Sequence, residues 1–198
     1  MVTQEKIWND IAPEWHEFKI NPAQSVIGFL ADQKGKILDL GSGSGRNMQK
    51  IKNGKMYLTD FSKEMLKLAE KKAKEKGIEI ETKKSDLTKI PYEDNFFDGA
   101  ICISAIHCIE GEENRIKVIQ ELYRTLKQGA TALIGTWNAR SKRFKDKAKE
   151  KMVGWQNKGK RYYYLYYEEE VHKQFQDAGF KIIKSLNSEM MINFIIQK

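Results

Sequence analysis

Short runs of apolar residues alternate along the chain with longer segments in which apolar positions recur every three or four residues. Five runs end near residues 40, 59, 82, 103 and 137. Their short length and their content of Ile, Leu and aromatic residues are typical of β-strands. The run that ends at residue 103 is apolar at nearly every position, which indicates a strand buried on both faces of a parallel sheet.

Helices are predicted wherever the apolar spacing is three or four. They cover residues 4–10 and 23–31 before the first strand, then 62–76, 112–127 and 168–178. The last two strands, near residues 181–186 and 190–196, are joined by so few residues that they can only form an antiparallel hairpin. The predicted fold class is therefore α/β, one domain with a doubly wound, mostly parallel seven-stranded sheet and a C-terminal antiparallel hairpin.

One segment of the chain has a charge that differs from that of the remainder. The 198 residues carry 35 basic and 27 acidic side chains, a net charge of +8. Ten basic residues and only two acidic ones lie between positions 140 and 161, so this segment holds the whole excess. A local excess on a neutral body is typical of a surface that binds a polyanion, although a solvated lysine-rich helix would have the same composition. We predict a basic substrate-binding insertion at residues 138–166.

The remaining composition narrows the class of protein. No apolar run approaches the length of a membrane span, and the N-terminal residues do not resemble a signal peptide. The two cysteines, Cys102 and Cys108, have no further cysteine with which to form a zinc site. These features predict reduced thiols and no bound metal in a cytoplasmic protein.

A glycine-rich turn follows the first strand and holds the densest candidate chemistry. Gly41, Gly43 and Gly45 come in five residues, and a helix is predicted to begin near Arg46. Glycines allow a ligand to approach the backbone, and the first turn of a helix offers unpaired N–H groups. The third glycine comes one residue too early for the dinucleotide fingerprint, and no Gly-Lys-Ser/Thr ending suits a triphosphate.

Acidic residues near the strand ends favour a different ligand. Asp39 precedes the glycines, and S-adenosylmethionine carries an ammonium and a sulfonium but no phosphate. Asp60, after the second strand, is placed to accept hydrogen bonds from both ribose hydroxyls. Asp86, after the third, is placed to accept one from the adenine amino group. Each acid alone could be an ordinary turn residue, and the glycines could serve packing alone, but their joint placement favours a cofactor site.

These motifs resemble those of class I S-adenosylmethionine-dependent methyltransferases. The resemblance is carried by Asp39-Leu40-Gly41-Ser42-Gly43-Ser44-Gly45, Thr59-Asp60-Phe61-Ser62 and Leu126-Lys127-Gln128-Gly129. It implies S-adenosyl-L-methionine as the cofactor, with Leu87 against the adenine ring and the methyl-transfer position beside Ile103 and Ser104. The full set of implied cofactor-binding residues is Asp39, Gly41, Ser42, Gly43, Gly45, Asn47, Asp60, Phe61, Asp86, Leu87, Ile103 and Ser104.

Five further stretches are similar, more narrowly, to the tRNA wobble-uridine methyltransferases, which esterify the carboxylate of 5-carboxymethyluridine in the anticodon. They are residues 7–12, 45–47, 103–107, 135–137 and 161–166. A carboxylate is already ionised at neutral pH, so it needs no general base, and positioning is then most of the catalysis.

Four residues are predicted to position this substrate. His107 is placed to hydrogen-bond the uracil or the carboxylate, although it could equally be a satisfied histidine at a helix start. Arg161 is placed to pair with a carboxylate or phosphate. Trp137 and Tyr162 are placed to stack on an extruded base of the tRNA anticodon loop.

Two other functions fit parts of the sequence. A small-molecule methyltransferase, acting on a quinone precursor or a carboxylic acid, would not need the basic insertion. A module that binds the cofactor without chemistry would not need the complete set of motif residues. The resemblance also implies a candidate partner, a small zinc-binding activator protein at the sheet edge beside the third strand, predicted at residues 78–82, where unpaired backbone groups can be completed by a neighbour.

Overall fold

The computed structural model describes residues 3–18 and 20–198. The helices are α1 (Gln4–Asp10), α2 (Ala12–Phe18), α3 (Gln24–Ala31), α4 (Lys63–Lys76), α5 (Glu112–Thr125) and α6 (Glu168–Asp177), with a 3-10 turn at Ile106–Cys108. The strands are β1 (Lys34–Leu40), β2 (Lys52–Asp60), β3 (Ile80–Lys84), β4 (Phe97–Ile103), β5 (Leu126–Trp137), β6 (Glu150–Gly154), β7 (Lys160–Tyr164), β8 (Lys181–Ser185) and β9 (Met191–Gln197). None of the helices within the described residues is long and apolar enough to cross a membrane.

Seven strands form one sheet in the order β3-β2-β1-β4-β5-β9-β8. The first five in sequence pair in parallel, whereas β9 is antiparallel to both β5 and β8. The order reverses between β1 and β4, and this is the point at which open α/β sheets bind ligands. The predicted doubly wound sheet with its C-terminal hairpin is confirmed.

Alternate residues of the central strands enter two separate cores. Ile37 of β1 packs with residues of α3 and α4, whereas the next residue, Leu38, packs with residues of α5 and α6. In the same way β4 places Ile101 in the first core and Cys102 in the second. The sheet is therefore covered by helices on both faces, as the continuous apolar run of β4 indicated.

The first crossover differs from the prediction. The prediction of a helix that begins near Arg46 is wrong, because residues 43–47 form turns and the chain enters β2 at Lys52. Three residues of this loop, Gly41, Gly43 and Gly45, have φ of 73°, 53° and 71°, which a right-handed helix does not allow. The loop instead remains a chain of tight turns whose backbone is open to a ligand.

Three other boundaries also shift. Helix α5 ends at Thr125 rather than 127, and β5 begins at once with Leu126, whose backbone is extended. Strand β3 is displaced by two residues from the predicted position, and α2 is a helix that the sequence did not indicate. The proline in α2, Pro13, is tolerated because it lies in the first turn, where its missing N–H has no partner to lose.

Residues 138–166 do not form a lysine-rich helix. They contain turns followed by a two-stranded antiparallel sheet, β6 paired with β7, which is separate from the main sheet. The insertion returns to the body at Asn138 and Tyr166, where an isolated bridge pairs the two ends of the segment.

Helix α1 is attached to α4 through Asn9. The Asn9 side-chain oxygen accepts hydrogen bonds from the Ser62 hydroxyl (2.8 Å) and the Glu64 backbone N–H (3.2 Å), at the N-terminus of α4. Replacing Asn9 by Ala is expected to lower the free energy of unfolding by about 1 kcal/mol, the usual cost of losing a cap. Denaturant unfolding measures this, with Asp10→Ala as a control that removes only an exposed ion pair with Lys6. Equal stability of the two variants would contradict the capping role.

Candidate cofactor and substrate site

A cavity of about 330 Å³ lies beyond the carboxyl ends of β1, β2 and β4. Its floor is formed by the glycine loop and its cover by Gln4, Trp8 and Trp15 from the N-terminal helices. The predicted site residues that line it are Gly41, Ser42, Gly43, Asn47, Asp60, Phe61, Asp86, Leu87, Ile103, Ser104, His107 and Trp137. Strands that are distant in sequence thus bring most of the predicted residues together.

The glycine loop leaves space for a ligand at Gly43. A Cβ built on this residue would meet no protein atom within 4 Å, and Gly43 lines the cavity. At Gly41 the same atom would lie 2.3 Å from the Cβ of Ala105, so this glycine is needed for packing. Gly45 does not line the cavity, because it packs against Met48 and Ala69.

Asp60 fastens this loop to the end of β2. Its Oδ2 accepts a hydrogen bond from the Gly43 N–H and its Oδ1 one from the Ser62 N–H, both at 2.9 Å. Burial raises the pKa of Asp60 to about 6, although these backbone N–H groups act in the opposite direction. Each carboxylate oxygen retains a further lone pair, so the group can also accept hydrogen bonds from two ribose hydroxyls.

Asp39 lies beneath the loop and does not line the cavity. It is 1% exposed, and neither carboxylate oxygen has a hydrogen-bond partner among the described residues. Burial raises its pKa to about 7; the nearby Arg46 opposes this and Asp60 adds to it. A buried carboxylate without donors is stabilised by positive charge nearby, which fits a ligand with an ammonium and a sulfonium.

Asp86 and Leu87 follow β3 at the far side of the cavity. One oxygen of Asp86, Oδ1, accepts hydrogen bonds from the backbone N–H and the hydroxyl of Thr88, both at 2.8 Å. The side chain is exposed and leaves its second oxygen toward solvent, whereas Leu87 is buried. This turn offers an acceptor beside an apolar surface, the pair of features that an adenine ring requires.

Ser104 follows β4 with a backbone that non-glycine residues rarely adopt. Its φ is 61°, its N–H donates to the Gly135 carbonyl at 2.8 Å, and its carbonyl accepts from the Cys108 thiol at 3.5 Å. Such strain is commonly held at functional sites. It lies at the position where the sequence predicts methyl transfer.

His107 is completely buried and lines the cavity. Its Nδ1 accepts a hydrogen bond from the Trp137 backbone N–H at 3.1 Å, so the ring proton of the neutral imidazole is on Nε2. Within the described residues Nε2 has no partner. Burial lowers the pKa of His107 to about 3. His107 is therefore a neutral imidazole in the cavity wall, and neither ring nitrogen has a lone pair free to take up a proton.

The aromatic residues of the cavity wall near His107 are Trp137 and Tyr163, whereas the prediction named Trp137 and Tyr162. Trp137 stacks on Tyr163, with ring centroids 4.2 Å apart, and on Phe144 at 4.8 Å, so its ring packs against the protein. Tyr163, which the sequence reasoning missed, lines the cavity. Tyr162 does not, because neighbouring strand residues face opposite sides. Its ring is buried in the core that contains residues of α5 and α6, and its hydroxyl accepts a hydrogen bond from Arg115 at 3.3 Å.

Arg161 is also absent from the cavity wall. It is 3% exposed and donates to the Tyr163 hydroxyl at 2.7 Å. Its guanidinium carbon lies 5.0 to 5.4 Å from four ring centroids, within cation–π range. We call these rings the aromatic box: Trp8, Trp15, Trp155 and Tyr163. Among the residues that the structure describes, no carboxylate pairs with Arg161.

Several further residues line the cavity without a prior prediction. They are Gln4, Trp8, Trp15, Ser44, Arg46, Met65, Thr88, Ala105, Cys108, Ile109, Glu110, Asn114 and Tyr163. Arg46 directly follows the glycine loop and is the only cation of this set. Burial lowers the pKa of Arg46, and the nearby carboxylate of Asp39 opposes this. The N-terminal residues could not be identified from spacing, because the helices that carry them are distant in sequence from the loop.

The fold and the cavity together define a class I S-adenosylmethionine-dependent methyltransferase domain. Residues 38–134 match the family described as "Methyltransferase domain". The class inferred from the motifs is therefore confirmed, and S-adenosylmethionine is the cofactor of the domain.

Two kinds of curated relatives are similar to the chain. The chain is 31% identical over 146 residues to the tRNA (carboxymethyluridine(34)-5-O)-methyltransferase alkbh8 of Xenopus tropicalis, which is 73% of this chain and 22% of that protein. It is 29% identical over 125 residues to the ubiquinone/menaquinone biosynthesis C-methyltransferase UbiE of Neisseria meningitidis serogroup B, 61% of this chain and 47% of the relative. The chain thus spans about a fifth of the first relative and about half of the second.

Solved structures show the same fold at low sequence identity. A SAM-dependent methyltransferase from Methanosarcina mazei superposes with a TM-score of 0.71 at 21% identity, over 90% of this chain and 99% of that one. The complex between the Haloferax volcanii Trm112 methyltransferase activator and a methyltransferase contains a chain with a TM-score of 0.71 at 14% identity. That match covers 100% of this chain and 99% of the other.

Proposed function

We propose that this domain transfers the methyl group of S-adenosylmethionine to the carboxylate of 5-carboxymethyluridine at the tRNA wobble position. The observation that carries the proposal is the state of His107. Because its Nδ1 is occupied by the Trp137 N–H and its Nε2 carries the proton, the imidazole has no free lone pair for the proton of a substrate. It is the only imidazole that lines the described cavity wall. A cavity wall without a basic imidazole favours an acceptor that is nucleophilic without deprotonation, as a carboxylate is.

The cofactor supplies an electrophilic methyl group on a positively charged sulfur. In this proposal Asp60 binds the ribose, Asp86 and Leu87 bind the adenine, and Arg46 pairs with the methionine carboxylate. The backbone of Gly41, Ser42 and Gly43 lies along the methionine part, with Asn47 and Phe61 completing the wall. Ile103 and Ser104 border the reacting methyl group.

The substrate carboxylate is positioned by neutral donors beside a buried cation. The Nε2–H of His107 donates to one carboxylate oxygen. The hydroxyl of Tyr163 accepts from Arg161, so its own proton remains available to the substrate. Arg161 acts through Tyr163 and through its uncompensated positive charge, which favours an anionic acceptor in the adjacent cavity. The near-attack geometry then supplies most of the rate.

The basic insertion, residues 138–166, binds the RNA backbone in this proposal. Ion pairs hold Arg140 to Glu169, Lys149 to Glu170 and Lys158 to Glu14. The cations of the insertion that are exposed and make no ion pair among the described residues are Lys142, Arg143, Lys145, Lys147 and Lys160. The insertion begins directly after Trp137 and contains Tyr163, and both of these residues lie in the cavity wall. Phosphates bound on it would thus hold a nucleotide close to the cavity.

Removing three of these charges tests the RNA contact. The triple variant Lys142→Ala, Lys145→Ala, Lys147→Ala is expected to bind tRNA more weakly, and its plot of log affinity against log salt should be flatter by roughly two units, since each lost phosphate contact contributes about 0.7 to 0.9. Cofactor affinity should not change. The matched control removes the same charge at exposed lysines of α5 and β8, Lys117, Lys181 and Lys184. Equal salt slopes for both variants would contradict RNA binding by the insertion.

The decisive measurement is methyl transfer from labelled cofactor into total tRNA that lacks the wobble ester, followed by identification of the modified nucleoside. The methyl ester of 5-carboxymethyluridine is the expected product. The similarity to UbiE favours a second candidate, C-methylation of a quinone precursor, so quinol precursors and small carboxylic acids are offered in parallel. Incorporation into a small molecule and not into tRNA would reject the proposal.

A partner at the sheet edge is part of the proposal. Strand β3 pairs only with β2 and is an edge of the seven-stranded sheet, the location expected for a small zinc-binding activator protein. The complex of a similar fold with the Trm112 activator supports this choice. We place the protein in the cytoplasm, where its two free cysteines would stay reduced. Full solubility and activity of the purified chain alone would remove the need for a partner.

A further inference from the structure

An aromatic surface outside the cavity has no role in the proposed reaction. Phe18, at the end of α2, is 62% exposed. Trp155 is half-buried and lies in the turn between β6 and β7, with its ring centroid 5.4 Å from that of Phe18. Large exposed aromatic rings in contact with one another mark binding surfaces more often than isolated apolar residues do.

This surface is continuous with the cavity. Trp8 and Trp15 line the cavity, and their ring centroids are 5.2 Å apart. Trp15 in turn lies 5.3 Å from Trp155, which contacts Phe18. The four rings therefore form a row that leads from the substrate cavity to the outside. Three of them come from the N-terminal helices, Trp8 from α1 and Trp15 and Phe18 from α2, and the fourth, Trp155, belongs to the basic insertion.

Arg161 fixes the inner part of this row. Its guanidinium lies 5.0 Å from the ring centroids of both Trp15 and Trp155 and is buried beneath them. Cation–π contact holds the two indoles in place, which lowers the entropy that a stacked ligand would lose on binding. The outer end of the row is thus a preorganised surface rather than a set of loose side chains.

The surroundings of the row indicate what it binds. Lys160 is exposed, makes no ion pair among the described residues and pairs in the β6–β7 ladder with Gly154, the residue before Trp155. It belongs to the insertion, whose net charge is +8. Aromatic rings beside a cationic surface are the combination that binds single-stranded nucleic acid, since bases stack on the rings and phosphates meet the charges. Anionic lipid headgroups or an acidic protein face would also meet the charge, but the row leads into the cavity proposed to hold an RNA base, and RNA is the occupant that fits both features. The exposed apolar residues near the row, Ile20 and Met152, leave those occupants as alternatives for the experiment.

We propose that Phe18 and Trp155 form a stacking subsite for the base that flanks the methylated nucleotide in single-stranded RNA. This inference rests on the proposed function for the nature of the substrate. A base extruded into the cavity leaves its neighbour in the same strand at the cavity mouth, where the outer rings lie. The subsite would bind any base, because stacking uses the ring face and reads no hydrogen-bonding edge.

The test compares three variants in binding to a short single-stranded RNA with the anticodon-loop sequence. Phe18→Ala and Phe18→Leu are both expected to weaken binding about 5- to 150-fold, the range for the loss of one stacked base. Leucine preserves apolar surface but has no ring, so it separates stacking from general apolar contact. The control is Ile183→Ala on β8, where the side chain is 53% exposed and distant from the cavity. It should bind RNA as the unaltered protein does.

A second ligand makes the result independent of protein folding. RNA in which the flanking nucleotides are abasic should bind the unaltered protein as weakly as intact RNA binds Phe18→Leu, and Phe18→Leu should not weaken it further. Full affinity of Phe18→Leu, or of the abasic RNA, would overturn the subsite and favour a protein or lipid occupant. Because binding is measured without methyl transfer, the two proposals can fail separately. RNA that binds through Phe18 without being methylated would reject the proposed function alone.

Discussion

Replacing His107 by Asn is expected to lower the rate of methyl transfer to tRNA about 100-fold, the usual cost of losing one donor aimed at a reacting oxygen. The Asn side-chain oxygen can replace Nδ1 as acceptor for the Trp137 N–H, so the local fold is kept. The donor at Nε2 is lost. Single-turnover measurements at saturating cofactor give the rate, and calorimetry should show unchanged cofactor affinity.

The matched control for this experiment is His107→Gln, whose amide can present an N–H near the position of Nε2. It should retain more activity than the Asn variant. If both variants are equally slow, the donor role is contradicted and His107 serves packing, since it stacks on Trp137 at 5.1 Å.

The pH profile distinguishes a donor from a base. Burial holds the pKa of His107 near 3, so the imidazole stays neutral throughout the physiological range. A carboxylate acceptor is ionised over the same range. At saturating cofactor the rate should therefore be constant between about pH 6 and 8. A rate that increases through pH 6.5 in the unaltered protein but not in His107→Asn would indicate a histidine general base and a hydroxyl acceptor, and would contradict the proposal.

The sequence predicted the parts of this molecule that depend on local chemistry. The order of strands and helices follows from residues adjacent in the chain, and the helix predicted at residues 62–76 is indeed capped by Ser62 and ended by Gly77. The placement of Asp60 and Asp86 at one sheet edge follows from parallel pairing alone, because the carboxyl ends of parallel strands meet there. Ten of the twelve predicted cofactor residues line one cavity for this reason, and Asp39 and Gly45 lie just behind it.

The parts of the site that the sequence did not predict depend on packing between segments that are distant in the chain. The aromatic box joins residues of α1 and α2 to residues of the insertion, and no spacing within either segment indicates that they meet. The choice between Tyr162 and Tyr163 depended on which face of β7 points to the cavity. In a run of consecutive aromatic residues the alternation of apolar and polar positions that would show the face is missing. No helix forms at Arg46 because only six residues separate Gly45 from the start of β2 at Lys52, a length set by how the strands pair and not by the local sequence.

Replacing Asp60 by Ala is expected to weaken S-adenosylmethionine binding by about 1.5–3 kcal/mol, the range for hydrogen bonds to a charged group. This corresponds to roughly 10- to 150-fold in the dissociation constant. Asp86→Ala is the matched control, since that carboxylate is exposed and its loss should weaken binding less. Calorimetry measures both. An unchanged affinity of the Asp60 variant would contradict the ribose assignment.

Stability measured against pH separates this loss of binding from damage to the fold. Burial raises the folded-state pKa of Asp60 to about 6, above its ordinary value of 3.8, so its contribution to stability is fully present below pH 3.8 and is lost as the pH rises through 6. Without cofactor, the loss of stability caused by Asp60→Ala should therefore be smaller at pH 8 than at pH 4. Adding cofactor at pH 8 should increase the stability of the unaltered protein more than that of the variant, because only the unaltered protein gains the ribose hydrogen bonds. Thermal unfolding at the two pH values measures both differences, and equal stabilisation of the two proteins by the cofactor would show that Asp60 holds the glycine loop through Gly43 and Ser62 without contacting the ligand.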